Sequence, residues 1–114
     1  MVRREFLKSA ALAGGIAPLG ATAKEPLPRR QYKDGIELSI IGFGGIVVMG
    51  QEQRDAGRDV ALSIDRGVNY FDVAPSYGRG EAEIKLGPAL KPYRNQVFLA
   101  CKTRERTAEG ARKE

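Results

Sequence analysis

Downstream of Lys24, apolar positions follow two periods in turn, one suited to strands and one to helices. Glu25-Pro26-Leu27-Pro28 has neither and reads as part of an extended linker over residues 24–31. Gln31-Tyr32-Lys33 and Ile36-Glu37-Leu38 flank Asp34-Gly35, the dipeptide best suited to the left-handed positions of a two-residue hairpin turn. A near-continuous apolar run follows from Ser39 to Val48. Its first half predicts a buried strand, and its glycines mark where backbone must approach something closely. Between Asp55 and Arg66 the residues Ala56, Val60, Ala61 and Ile64 fall at helical spacing, with Gly67 placed to end the helix. Val68 to Val73 is the next predicted strand.

A second helix is expected from near Gly80, turning Ala82, Leu86, Ala89 and Leu90 inward and pairing Glu81 with Lys85 at i, i+4. Pro88 costs about 3 kcal/mol in a helix interior, so a break or kink is expected near Gly87. Gln96 to Cys101 reads as a third strand, buried on both faces by its composition, with Cys101 a small buried residue within it. Thr107 is placed to cap a third helix. Nearly all-apolar strands alternating with helices predict a parallel sheet in an α/β fold.

Residues 1–23 stand outside this rhythm. Arg3-Arg4-Glu5-Phe6-Leu7-Lys8 opens them, a mildly apolar Ala/Gly-rich middle follows, and Ala21-Thr22-Ala23 supplies a small-x-small cleavage site. The apolar part is about 12 residues, roughly 18 Å as a helix, against the about 20 residues a bilayer core requires. An export signal is therefore expected, with no permanent membrane anchor. The paired arginines resemble the twin-arginine (Tat) signal, which implies delivery of an already folded passenger by the Tat machinery to the periplasm.

Composition removes several chemistries. The 114 residues contain no His and a single Cys, so this chain supplies no His-based triad or base, no ordinary zinc site and no internal disulfide. The net charge of +5 comes mostly from the two ends, since residues 24–101 balance 11 basic against 10 acidic side chains. No basic stripe interleaved with aromatics is present, and nucleic acid is not an expected partner.

The charged residues near strand ends point to chemistry. Asp72 and Lys102 each follow a buried strand to its C-terminal end, thirty residues apart, one βα repeat. On parallel neighbours about 4.8 Å apart they would oppose each other, at the end of the sheet where α/β folds bind ligands. Tyr77 lies in the loop directly after the strand carrying Asp72. A phenol, ordinarily near pKa 10, is a poor acid at neutral pH, and a Lys ammonium beside it favours the phenolate. Asp72, Tyr77 and Lys102 together suit proton donation to a developing alkoxide, while a structural ion pair beside a packed aromatic accounts for the same spacing.

Longer motifs decide between these. Gly67-Val68-Asn69-Tyr70-Phe71-Asp72-Val73-Ala74-Pro75-Ser76-Tyr77-Gly78, then Gly80-Glu81-Ala82-Glu83 and Leu86-Gly87-Pro88-Ala89-Leu90, resembles the signature of the aldo/keto reductases. Leu38 to Gly45 is similar to that family's first strand, and Val97 to Thr103 to the strand carrying its lysine. The resemblance covers residues 32–107 and implies the first three βα units of a (β/α)8 TIM barrel, with the Asp34-Gly35 hairpin closing its bottom. It implies reduction of aldehydes and ketones with NADP, or NAD, as cofactor. Tyr77 would then be the proton donor, Lys102 its activator, and Asp72 the partner of Lys102, lying near the nicotinamide ribose. Gly45 and Ile46 would border the nicotinamide. The family's His after the next strand has no counterpart here, and a barrel of about 250 residues needs eight strands where residues 32–114 supply three, leaving an incomplete barrel with an apolar edge.

A dinucleotide-binding reading of Gly42-Phe43-Gly44-Gly45 fails, because Val47 stands where the third glycine of G-x-G-x-x-G belongs. A cofactor-binding relative without turnover, or an inactive fragment, remains the alternative to an enzyme.

Overall fold

The structure, a computed structural model, describes residues 25–114. The expected export signal lies outside the described residues. Five strands and three α-helices follow in the order β1 (Arg29–Lys33), β2 (Ile36–Ser39), β3 (Phe43–Gly44), α1 (Gln53–Asp65), β4 (Tyr70–Val73), α2 (Glu81–Leu90), β5 (Phe98–Cys101) and α3 (Ala108–Lys113). β1 and β2 form an antiparallel hairpin, while β3, β4 and β5 form a parallel sheet in that order. Each parallel step crosses over through a helix, which is the βα arrangement expected.

The hairpin turns where Asp34-Gly35 indicated, with both residues left-handed at φ 51° and 76°. Its first strand begins at Arg29, within the segment expected to be linker. Asn69 fastens it to the sheet: its side chain accepts from the Ser39 N–H at 2.7 Å and donates to the Glu37 carbonyl at 2.8 Å. Helix α1 ends in a double hydrogen-bonded cap, Gly67 N–H to Ile64 O and Val68 N–H to Ser63 O, with Gly67 at φ 97°.

The core lies between one face of the sheet and the two longer helices. Phe71 and Val73 of β4 meet Val48, Ala56, Val60, Ala82, Leu86 and Leu90, and the Phe43 and Phe71 rings stack 5.2 Å apart. The four residues expected to turn inward from α2 are all buried. Along β4 burial alternates, so that Phe71 and Val73 enter the core while Tyr70 and Asp72 occupy the opposite, more open face. That alternation aims Asp72 away from the helices.

Three expectations are corrected. The first half of the apolar run is not a buried strand: Ile40 and Ile41 are 53% and 57% exposed, and only Phe43 and Gly44 pair in the sheet. The Ile40 N–H instead extends the hairpin to the Pro28 carbonyl, the Ser39 hydroxyl donates to the Ile41 carbonyl, and the chain bends before β3. Pro88 does not end its helix near Gly87, since α2 continues to Leu90. Burial of Ala89 and Leu90 holds the last turn, and Pro88 faces outward where solvent meets the carbonyl it leaves unpaired. The third strand is not buried on both faces: β5 is the sheet edge, Phe98, Leu99 and Ala100 are half-buried and Cys101 is exposed. No described strand pairs with its outer side, and composition alone does not reveal that vacancy.

Candidate active site

The C-terminal ends of the three parallel strands lie in register, with Gly44, Asp72 and Ala100 side by side. Lys102 stands one pleat beyond Ala100, and its N–H continues the ladder to the Val73 carbonyl at 3.2 Å. Tyr77 is carried by the loop after β4, where a turn closes from its N–H to the Ala74 carbonyl at 3.0 Å. The chain thus brings Asp72, Tyr77 and Lys102 together. The Lys102 Nζ donates to Asp72 Oδ1 at 2.7 Å and to the Tyr77 hydroxyl oxygen at 2.8 Å. These hydrogen bonds, that with Asp72 first and that with Tyr77 next, push the Lys102 ammonium up to about 12. Lys102 therefore stays charged at neutral pH.

The Tyr77 hydroxyl has no close acceptor among the described residues. Its contact with Asp72 Oδ1 is 3.4 Å, well beyond the about 2.7–2.8 Å of a strong O–H···O bond. The Tyr77 oxygen is engaged by an ammonium on one side while its own O–H can turn to another acceptor. Asp72 Oδ2 makes no hydrogen bond among the described residues.

Gly45 explains why this end of the sheet contains glycine. A Cβ there would lie 2.8 Å from the Asp72 carbonyl oxygen and 3.0 Å from Val73 Cγ2. The backbone after β3 must press directly on the residue carrying the carboxylate. Gly45→Ala is accordingly expected to cost about 1–3 kcal/mol in urea unfolding and to displace Asp72, because neither neighbouring backbone can yield freely. Ile46 follows as an exposed apolar residue, 54% accessible, with Val47 beside it at 50%.

Two further carboxylates brace the loops, and neither was legible as such in the sequence. Glu81 Oε1 accepts from the Gly50 N–H at 2.8 Å and from Lys85 at 2.8 Å, tying the loop after β3 to the start of α2. Lys85 and Gly50 together hold the Glu81 carboxyl below its ordinary range. The i, i+4 pattern announced the Lys85 partner, whereas no local signal announces Gly50. Glu114 accepts from the Thr103 hydroxyl at 2.6 Å, the Arg104 N–H at 2.9 Å and Arg104 Nε at 2.7 Å. Those bonds hold its carboxyl down to about 2. A carboxyl depressed on folding stabilises above its unfolded value of 4.5, and this contribution is lost as pH falls towards about 2. Acid titration of thermal stability should therefore show a loss in that window that Glu114→Gln does not show.

An apolar hollow lies elsewhere. A groove of about 570 Å³, lined by Val73, Leu86, Leu90, Leu99 and Cys101 among others, lies on the side of β4 opposite Asp72. It adjoins the open edge of the sheet and not the polar cluster. Among the described residues, no helix is long and apolar enough to cross a membrane and no group of His, Cys, Asp or Glu could hold a metal ion.

Residues 40–114 match the sequence model of the aldo/keto reductase family. Aldo-keto reductase YhdN of Bacillus subtilis is 38% identical over 60% of this chain and 23% of its own length. The uncharacterized oxidoreductase YqkF of the same organism is 32% identical over 73% of this chain and 27% of its own. The chain thus spans about a quarter of the length of these curated relatives. Among solved structures, aldo-keto reductase AKR11C1 from Bacillus halodurans, in its holo form, superposes with a TM-score of 0.61 at 32% identity, over 74% of this chain and 28% of that one.

Proposed function

Because this chain belongs to the aldo/keto reductase family, an oxidoreductase family, we propose that it carries the opening part of a site that reduces aldehyde or ketone carbonyls with NADPH or NADH. The observation that carries this reading is the forked contact of Lys102 with both Asp72 and Tyr77. Asp72 keeps the ammonium charged and aimed. The ammonium in turn stabilises the phenolate left when Tyr77 gives up its proton to a carbonyl oxygen that is becoming an alkoxide. The weak Tyr77–Asp72 contact leaves that proton available.

The residues fit a nicotinamide nucleotide. Ile46 and Val47 offer exposed apolar surface beside Gly45, where the backbone reaches Asp72, and Asp72 Oδ2 is open to accept a ribose hydroxyl. Gly45 and Ile46 would border the ring and Asp72 the sugar. When bound, the reduced cofactor supplies a hydride. The residues of this chain hold the carbonyl oxygen and deliver the proton.

The test is consumption of NADPH that depends on an added aldehyde. The alternative, a nicotinamide-binding module without turnover, draws on the absence of any His from the 114 residues and predicts binding with no aldehyde-dependent consumption.

We also propose that residues 1–23 address the protein to the Tat machinery and the periplasm, on the strength of Arg3-Arg4 and the small-x-small site. Changing Arg3 and Arg4 to Lys should leave the precursor in the cytoplasmic fraction. Unchanged recovery from the periplasm would refute it.

A further inference from the structure

Tyr77 is followed by three consecutive left-handed residues: Gly78 at φ 61°, Arg79 at φ 55° and ψ 44°, and Gly80 at φ 93°. Glycine adopts this conformation freely and an L-residue with a side chain does not, so an arginine between two glycines stands where a third glycine would cost less. Strain of this kind clusters at active sites and ligand clamps. Arg79 is exposed and makes no ion pair among the described residues.

Its surroundings indicate what it meets. A hollow of about 390 Å³ is lined by Pro75, Ser76, Arg79, Gly80, Arg104 and Glu114. These residues come mainly from the two loops that follow β4 and β5, at the end of a parallel sheet that faces ligands. Arg79 is two residues beyond Tyr77 and Arg104 two beyond Lys102, so each Cα lies within about 7 Å of the Cα of a catalytic residue. The hollow thus lies beside the loops that carry Tyr77 and Lys102, without either of them in its lining. Glu114 engages Arg104 through Nε alone, and among the described residues no carboxylate answers Arg79. Arg79 therefore offers the hollow an unpaired guanidinium among the described residues, a planar fork that matches a carboxylate.

We propose that Arg79, supported by Arg104, determines specificity at this site by favouring short carbonyl substrates that carry a carboxylate. The assignment rests on the carbonyl-reducing reading of Asp72, Tyr77 and Lys102. It adds the substrate class.

The experiment compares kcat/KM for 4-oxobutanoate and for butanal with the full protein, in the original and as Arg79→Gln, Arg79→Gly and Arg79→Lys. The original protein is expected to favour the acid by about tenfold, the worth of one charge-assisted contact. Arg79→Gln and Arg79→Gly should reduce that ratio to about one, and Arg79→Lys should retain part of it. Arg79→Gly relieves the backbone strain, so loss of the ratio in a protein at least as stable separates charge from folding. Butanoate binding, followed calorimetrically without cofactor, should weaken in parallel in Arg79→Gln.

If butanal is reduced with no preference for 4-oxobutanoate, or if Arg79→Gly keeps the preference, the role of Arg79 is overturned while the carbonyl-reducing site stands. If Arg79→Gln weakens NADPH binding and leaves butanoate binding unchanged, the cation serves a cofactor phosphate and the substrate assignment is overturned. If neither aldehyde is reduced, the carbonyl-reducing reading has failed, and the assignment of Arg79 fails with it.

Discussion

Replacing Tyr77 with Phe is expected to lower aldehyde turnover by about 10²- to 10⁴-fold, the usual contribution of a positioned general acid. The substitution removes one oxygen and little volume. The ring packs against the core, and Phe preserves that contact. What disappears is the atom that Lys102 holds at 2.8 Å, and with it the hydroxyl proton assigned to the substrate oxygen. Lys102 then keeps its 2.7 Å contact with Asp72, so the ion pair should survive and the fold with it. The expected pattern is a fall in kcat with little change in cofactor affinity or melting temperature. Normal turnover in Tyr77→Phe would remove the proton-donor role and leave the tyrosine a packed aromatic.

Phe71→Ala should have the largest effect on stability, about 3–5 kcal/mol in urea unfolding. Phe71 is 0% exposed and lies at the centre of β4, stacked on Phe43 and aligned with Phe43 and Leu99 in the neighbouring strands. The ring is enclosed between the sheet and the helix pair, where truncation leaves a cavity. A domain has only about 5–15 kcal/mol of net stability, so this change removes a large part of it. The site should fail as a consequence, since Asp72 is the next residue. A loss below about 1 kcal/mol would mean that the ring is not packed as described.

The fold was legible where a local rule has a single outcome. Asp34-Gly35 admits few turns other than the one observed, Gly67 ended its helix through the left-handed cap that glycine allows, and Ala82, Leu86, Ala89 and Leu90 define one helical face. Legibility failed where the deciding partner is distant. An apolar run such as Ser39 to Val48 has no period, and only its hydrogen bonds to Pro28 and Asn69 divide it into hairpin, bend and strand. The composition of β5 predicted burial on both faces, while its residues are half-buried or exposed at the edge of the described sheet. Pro88 was read from propensity, but two buried neighbours after it outweigh the lost hydrogen bond.

The site divides in the same way. The proximity of Asp72 and Lys102 was legible from strand ends one βα repeat apart, because parallel register converts sequence spacing into nearness, and Tyr77 from the loop between them. The bracing by Glu81 and Glu114 joins segments that no periodicity links. Arg79 left a faint signal, a charged residue between two glycines directly after the tyrosine, which acquires meaning only with its left-handed φ.

The most direct test of the central claim is to incubate the protein with NADPH and a test aldehyde and to quantify both the alcohol formed and the cofactor consumed. Alcohol in amounts equal to the NADPH lost, formed at least about a hundredfold more slowly in Tyr77→Phe, is the predicted result. NADPH that binds but is not consumed, with no alcohol formed, would contradict it.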